Sequence, residues 1–457
     1  MIFNSDIFLF AFLPLVFTLF WLARTKQQRY LLLTVSSYVF YGYWNWRFCF
    51  LLLISSLISF FVALQIEKAT APTSKRNLML VSIGFDLALL GFFKYYDFVA
   101  SNLNSLLPIP PLPILHIMLP IGISFYTFHT ISYIVDVAAE RIKPTHDIWE
   151  YLTYVSLFSQ LVAGPIVRFR EIEADLEKID GRPQEENIAR GIGFFVVGLI
   201  KKVVIADSLA PLVDTLLKGT NGLLSPSNAW LCALGYSFQL YYDFSGYSDM
   251  AIGLGYLFGI HIPQNFNAPY RAVSIRDFWR RWHISLSSWL RDYLYIPLGG
   301  NRSTPRRTTV NLLVTMLLGG LWHGANWTFI LWGAYHGTLL VCERTYAKTW
   351  EKMPVFLQRG LTFLLVVIGW VLFRAESIGM AFQWFEGLVG LETNVQSPAP
   401  ALLGWVVVCL IAVNLVPETW HIRFGLRRRW AVLYALLFLF AYFFMNGQHS
   451  VFLYYQF

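Results

Sequence analysis

The opening stretch MIFNSDIFLFAFLPLVFTLFWLARTKQQR, residues 1–29, places an apolar run at 6–23 directly before Arg24, Lys26 and Arg29. A cleaved secretory signal would carry its positive residues ahead of the run and a small-residue cleavage site behind it. Neither is present, so the stretch reads as a retained membrane helix whose N-terminus lies outside and whose basic end lies in the cytoplasm. Comparable windows recur near 30–46, 47–66, 78–97, 114–135, 192–217, 227–259, 309–345, 360–374, 399–416 and 430–447. A span needs about 20 apolar residues, so some of these windows hold two helices. The basic sets Lys68, Lys75, Arg76, then Arg141, Lys143, then Arg423, Arg427, Arg428, Arg429 alternate with the spans, which leaves the C-terminal tail outside as well.

Composition agrees. The 457 residues are 56% hydrophobic, 18% aromatic and 14% charged, which excludes a soluble globular domain. The expected architecture is an all-α integral membrane protein, a single domain over 1–457, with about 11–12 membrane helices. Two stretches, 149–190 and 262–308, are too polar or too interrupted by Gly and Pro to face lipid. Irregular backbone at membrane depth survives only around protein or a water-filled cavity, so these segments read as re-entrant or interfacial helices lining such a cavity. Cys49, Cys232, Cys342 and Cys409 show no metal-ligand spacing and read as free buried thiols.

The net charge of +8 is concentrated. Between residues 270 and 310 lie eight arginines (271, 276, 280, 281, 291, 302, 306, 307) against Asp277 and Asp292, a local excess of six. Arginine forks bond phosphate bidentately, and Trp279, Trp282 and Trp289 are interleaved with them. The pattern suits a polyanionic donor carrying an aromatic base; the more ordinary reading of the charge alone is an interfacial helix held by anionic lipid headgroups and aromatic anchors. Downstream, GGLWHGANWTFILWGAYHG (319–337) puts His323 in a glycine-flanked break between apolar runs. An ionisable residue at membrane depth is a functional candidate, and imidazole is the natural base near neutral pH. His336, 13 residues on, reads as structural. A metal held by His283, His323 and His336 lacks the accompanying carboxylate or thiol, so no metal is expected. In YYDFSGYSDM (241–250), Asp243, Ser245, Ser248 and Asp249 read as a buried network, with the Arg-rich loop as the source of partners.

Taken together, NFNAPY (265–270), DFWRRWHISLSSWLRDYLYIPLGGNR (277–302), LLGGLWHGANW (317–327), LPIGISFYTFHTISYIVDV (119–137) and the terminal FLYYQF (452–457) resemble the membrane-bound O-acyltransferase family. The branch most similar acetylates alginate, with relatives acting on cellulose and peptidoglycan. The resemblance implies an enzyme of the bacterial inner membrane with a central funnel. It would take acetyl groups from cytoplasmic acetyl coenzyme A and pass them outward for O-acetylation of an exported polysaccharide, alginate foremost. It implies His323 as the essential histidine, His283 as a second polar position, and Tyr454, beside Tyr455, as the acyl-carrying tyrosine. Arg280, Arg281, Arg291, Trp279 and Trp282 would then hold the coenzyme. The implied partners are membrane lipid, a periplasmic acyltransferase of the SGNH type and, through it, the polysaccharide; no nucleic acid is expected.

Overall fold

The computed structural model describes residues 1–107, 110–220, 223–391 and 399–445. Helices and irregular connections account for all of these residues, and no strand occurs among them. By length and composition four helices can cross a membrane, Arg47–Lys68, Pro72–Leu106, Val355–Arg374 and Arg428–Met445, with shorter apolar helices at Ile7–Leu22 and Pro400–Leu415. The other apolar windows hold helices that also carry polar side chains, except that the window 114–135 is irregular up to Gly122 and its helix begins only at Ile123. Residues 227–259 lie almost wholly in one helix, Pro226–Leu257, whereas 309–345 divides into Pro305–His323 and Trp327–Trp350. The interrupted stretches are short helices and coil, as their Gly and Pro content implies: Ile148–Ser156 and Phe169–Glu177 in the first, Ile275–Arg281 and Ile284–Leu290 in the second. All four cysteines are free, but only Cys232 and Cys409 are buried: Cys49 is half-buried, and Cys342 is exposed on helix 327–350.

The chain forms two compact units. The first comprises 1–195, 248–263 and 424–434. Its helices 47–68, 72–90 and 123–138 are joined by a buried carboxylate: Ser55 Oγ and Thr130 Oγ1 each donate to Asp86 at 2.7 Å. Arg29, expected among the cytoplasmic basic residues, is itself buried. It donates to the carbonyls of Ile179 and Gly181 and lies over the rings of Phe20 and Trp21 at 4.9 Å, so one guanidinium satisfies backbone that would otherwise be orphaned. At the rim of this unit His261 Nδ1 meets Asp175 Oδ1 at 2.9 Å, and the same carboxylate accepts the His261 amide.

That hydrogen bond to Asp175 raises the His261 pKa above its ordinary value near 6.5. Stability from the pair is therefore fully present below the unfolded value and is lost as pH rises through the folded one. His261 is half exposed, so the pair is worth at most about 1 kcal/mol. His261→Asn is expected to lower the thermal midpoint in detergent at pH 5.5 and to match the unsubstituted protein at pH 9. A difference that grows with pH would contradict this assignment.

Among the described residues the second unit comprises 196–220, 223–247, 264–391, 399–423 and 435–445. Its central feature is the antiparallel pair 305–323 and 327–350, which cross at backbone contact. A Cβ on Gly320 would lie 2.3 Å from the Phe329 carbonyl oxygen, and one on Gly333 would lie 2.4 Å from that of Met316. Close crossings of this kind are a usual mode of helix association in lipid. Asn326 opens the second helix, its Oδ1 accepting the Thr328 amide at 3.1 Å.

Also in this unit, Lys202 donates to Asp207 at 2.7 Å and to Asp243 at 2.6 Å, all three side chains being 2% exposed. The cation that meets Asp243 at 2.6 Å is thus a lysine 41 residues earlier in the chain, where the sequence had offered the Arg-rich loop.

Candidate functional site

The site begins with the coil at 264–274, which lies against the two short helices that follow it. Asn267 N donates to the Arg281 carbonyl, and Ile284 N to that of Asn265, both at 2.9 Å. Asn265 is fully buried and its Oδ1 is an acceptor for three groups: Ser285 N at 3.2 Å, Ser285 Oγ at 2.9 Å and His283 Nδ1 at 3.1 Å. The bond fixes His283 with its proton on Nδ1, so Nε2 is the basic nitrogen. Ala268 and His283 both adopt left-handed backbone, with φ of 46° and 44°. Such residues are held by what surrounds them, here by the backbone pairing and, at Ala268, by a hydrogen bond that its backbone N–H donates to Glu418 Oε1 at 2.8 Å. Glu418 also accepts the Tyr241 hydroxyl at 2.6 Å.

Helix 275–281 starts at Ser274, whose hydroxyl accepts the Asp277 amide at 3.1 Å. The helical period then separates its residues. Arg276, Trp279 and Arg280 fall on one face, and all three line a cavity of about 710 Å³. Arg281 turns the other way, donating to Asp277 at 2.9 Å and to the Asn267 carbonyl at 3.3 Å. Trp282 is buried, with its ring 4.8 Å from Trp370 and stacked on Phe278 at 5.6 Å. The second short helix and the turn after it give Ser287, Ser288, Arg291 and Tyr295 to the cavity, and helix 327–350 gives Trp332 and Arg344.

The cavity runs from charge to burial. Arg276, Arg280, Arg291 and Arg344 are exposed, whereas His323, which also lines it, is 5% exposed. The His323 ring is bordered edge-on by Trp322, Trp332 and Phe373 at 5.1–5.2 Å. One cavity thus joins four guanidinium groups, aromatic faces and an imidazole. Such a space can accept a phosphate-bearing ligand with an aromatic base and present its far end to a base.

Of the residues singled out from sequence, His323, Arg280, Arg291 and Trp279 come together here. Arg281 and Trp282 lie behind the wall, and His283 is buried beside Phe244, 4.6 Å between ring centres, rather than in the lining. Tyr454 and Tyr455 lie outside the described residues. His336 is buried among Trp279, Trp332 and Phe278. Among the described residues no group of three or more His, Cys, Asp or Glu could hold a metal ion.

Sequence reasoning did not single out Arg344, Tyr295 or Asn265 as site residues. Asn265 stood inside the quoted NFNAPY, where a polar residue in a Pro-flanked break was the available signal. Arg344 had none, because it enters from a helix more than 50 residues further along the chain.

Comparisons with known proteins agree on one family. The profile of the membrane-bound O-acyltransferase family matches residues 9–374. The protein named Probable alginate O-acetylase AlgI of Azotobacter vinelandii is 46% identical over 435 residues, covering 91% of this chain and 85% of its own. Its namesake in Pseudomonas aeruginosa is 45% identical over 399 residues, covering 86% and 76%. The Peptidoglycan O-acetyltransferase of Helicobacter pylori is 40% identical over 426 residues, covering 86% and 80%. With the arginine-mouthed cavity and its buried histidine falling inside the matched region, the chain belongs to the membrane-bound O-acyltransferase family, as a multi-pass O-acyltransferase.

Proposed function

We propose that the chain takes acetyl groups from acetyl coenzyme A on the cytoplasmic side and passes them across the bacterial inner membrane for O-acetylation of an exported polysaccharide. Alginate is the polymer favoured, because relatives 45–46% identical carry that function in their names. The Helicobacter pylori relative supports peptidoglycan as the second reading. The observation that carries the proposal is the single cavity joining exposed Arg276, Arg280, Arg291 and Arg344 to buried His323. Coenzyme A supplies the phosphates those guanidinium groups bind and a thioester long enough to extend inward.

The chemistry requires a base. A tyrosine phenol has a pKa near 10 and is protonated at neutral pH. In the proposed first step His323 takes the Tyr454 hydroxyl proton and the phenolic oxygen bonds to the acetyl carbonyl carbon. The C–S bond then breaks, and coenzyme A leaves as its thiol with the proton returned from His323. In the second step the ester bond of the acetyl-tyrosine breaks, the acetyl group passes through a periplasmic acyltransferase of the SGNH type to an acceptor hydroxyl, and the proton that hydroxyl loses restores the Tyr454 phenol. Both termini lie on the periplasmic side in this scheme, and membrane lipid surrounds the spans.

Purified protein incubated with radiolabelled acetyl coenzyme A is expected to release free coenzyme A. Mass spectrometry of the C-terminal peptide is expected to find one acetyl group on Tyr454. No release and no label would favour a transporter of the donor and sink the enzymatic scheme. Release with an unmodified tail would remove Tyr454 from the route and leave the donor assignment standing.

A further inference from the structure

We propose that Asp86 is the centre of a buried binding site for an alkali-metal cation, Na⁺ or K⁺, in the first unit, an inference independent of the acyl-donor reading of the cavity. Asp86 is 2% exposed and belongs to the segment Pro72–Leu106, which is long and apolar enough to cross a membrane. Ser55 Oγ and Thr130 Oγ1 each donate to one of its carboxylate oxygens at 2.7 Å. Hydroxyl dipoles soften a charge without cancelling it. Asp207 and Asp243 share the ammonium group of Lys202, yet among the described residues no lysine, arginine or histidine forms an ion pair with Asp86. An ionised carboxylate in low dielectric is strongly unfavourable unless a positive charge accompanies it.

The surroundings supply ligands for such a charge. Ser82 stands one helical turn before Asp86, and Tyr126 one turn before Thr130, so each lies on the face that carries the carboxylate or its partner. Tyr126 also interacts electrostatically with Asp86. Both residues are 1% exposed, and among the described residues neither hydroxyl meets a hydrogen-bond partner. Asp86, Ser55, Thr130, Ser82 and Tyr126 bring six oxygen atoms from three helices. Oxygen donors suit hard cations, and a single carboxylate matches a single positive charge.

A proton on Asp86 is the other way to remove the charge. One O–H forms one hydrogen bond, so it serves at most one of the two unpartnered oxygens. A cation is coordinated by the lone pairs of all the hydroxyls while Ser55 and Thr130 still donate to the carboxylate.

The test follows the thermal midpoint of the purified protein in detergent, in sodium or potassium chloride against choline chloride at equal ionic strength. With the bound cation at about 100 times its dissociation constant, the midpoint is expected to rise by about 2–3 °C over choline. Asp86→Asn keeps size and an acceptor but removes the charge, and is expected to abolish the rise. Ser82→Ala removes a hydroxyl that bonds nothing in the protein, so packing alone predicts an unchanged salt response. The cation site predicts that half of the rise requires about 10-fold more cation, the scale on which metal affinity answers to a lost polar partner. If neither alkali chloride raises the midpoint above choline, or if Asp86→Asn responds as the unsubstituted protein does, the assignment is overturned. An unchanged half-point in Ser82→Ala overturns it as well, and decides alone if Asp86→Asn does not fold.

Discussion

Replacing His323 by alanine is expected to lower release of coenzyme A from acetyl coenzyme A by about 10²–10⁴-fold, the usual contribution of a positioned general base. The expectation comes from placement. His323 is the titratable group at the buried inner end of a cavity whose outer end is arginine, and aromatic rings border it on three sides. A histidine in such surroundings could also serve as packing, and one variant separates the two roles. His323→Phe keeps a ring against Trp322, Trp332 and Phe373 but cannot accept a proton, so it is expected to be as inactive as His323→Ala and to run as a monodisperse peak in detergent. His323→Gln keeps hydrogen-bonding capacity without a basic nitrogen and is expected to be inactive as well. If the phenylalanine variant retained activity within twofold of the unsubstituted protein, His323 would be a packing residue and the base would have to be sought elsewhere. His283, whose basic nitrogen is Nε2, would then be the next residue to test.

How much of this site was legible in the sequence depends on helical phase. The break around His323 was visible because glycines and an asparagine cap interrupt an apolar run longer than one span. The charge concentration at 270–310 was visible because composition needs no geometry. Which arginines reach the cavity was not. Arg280 and Arg281 are adjacent in sequence but point about 100° apart on a helix, so one faces the cavity with Arg276 and the other folds back on Asp277, four residues earlier. Trp279 and Trp282 divide in the same way, the first lining the cavity and the second buried under Trp370. Contacts between distant segments were the other hidden class. Asn265 is a site organiser only because the coil before helix 275–281 lies back against residues 281–285, and nothing in the local pattern announces that pairing.

The buried lysine is the hidden contact with the largest expected cost. Lys202→Met is expected to destabilise the protein by about 3–5 kcal/mol, the range for breaking a buried ion pair by removing one partner. Methionine matches the length and apolar stem of lysine, so the loss comes from charge rather than from a hole. Without the ammonium group, Asp207 and Asp243, each 2% exposed, keep their carboxylates in low dielectric without the cation that now lies within 2.7 Å of both. Removing one anion has a different outcome. Asp243→Asn leaves Lys202 its bond to Asp207 and keeps an acceptor at the same position, so a neutral one-to-one pair remains and the cost is expected to be smaller, about 1–2 kcal/mol. The order of thermal midpoints in detergent, unsubstituted above Asp243→Asn above Lys202→Met, is the measurement that decides. A Lys202→Met variant as stable as the unsubstituted protein would mean that the lysine does not hold residues 201–207 against helix 226–257.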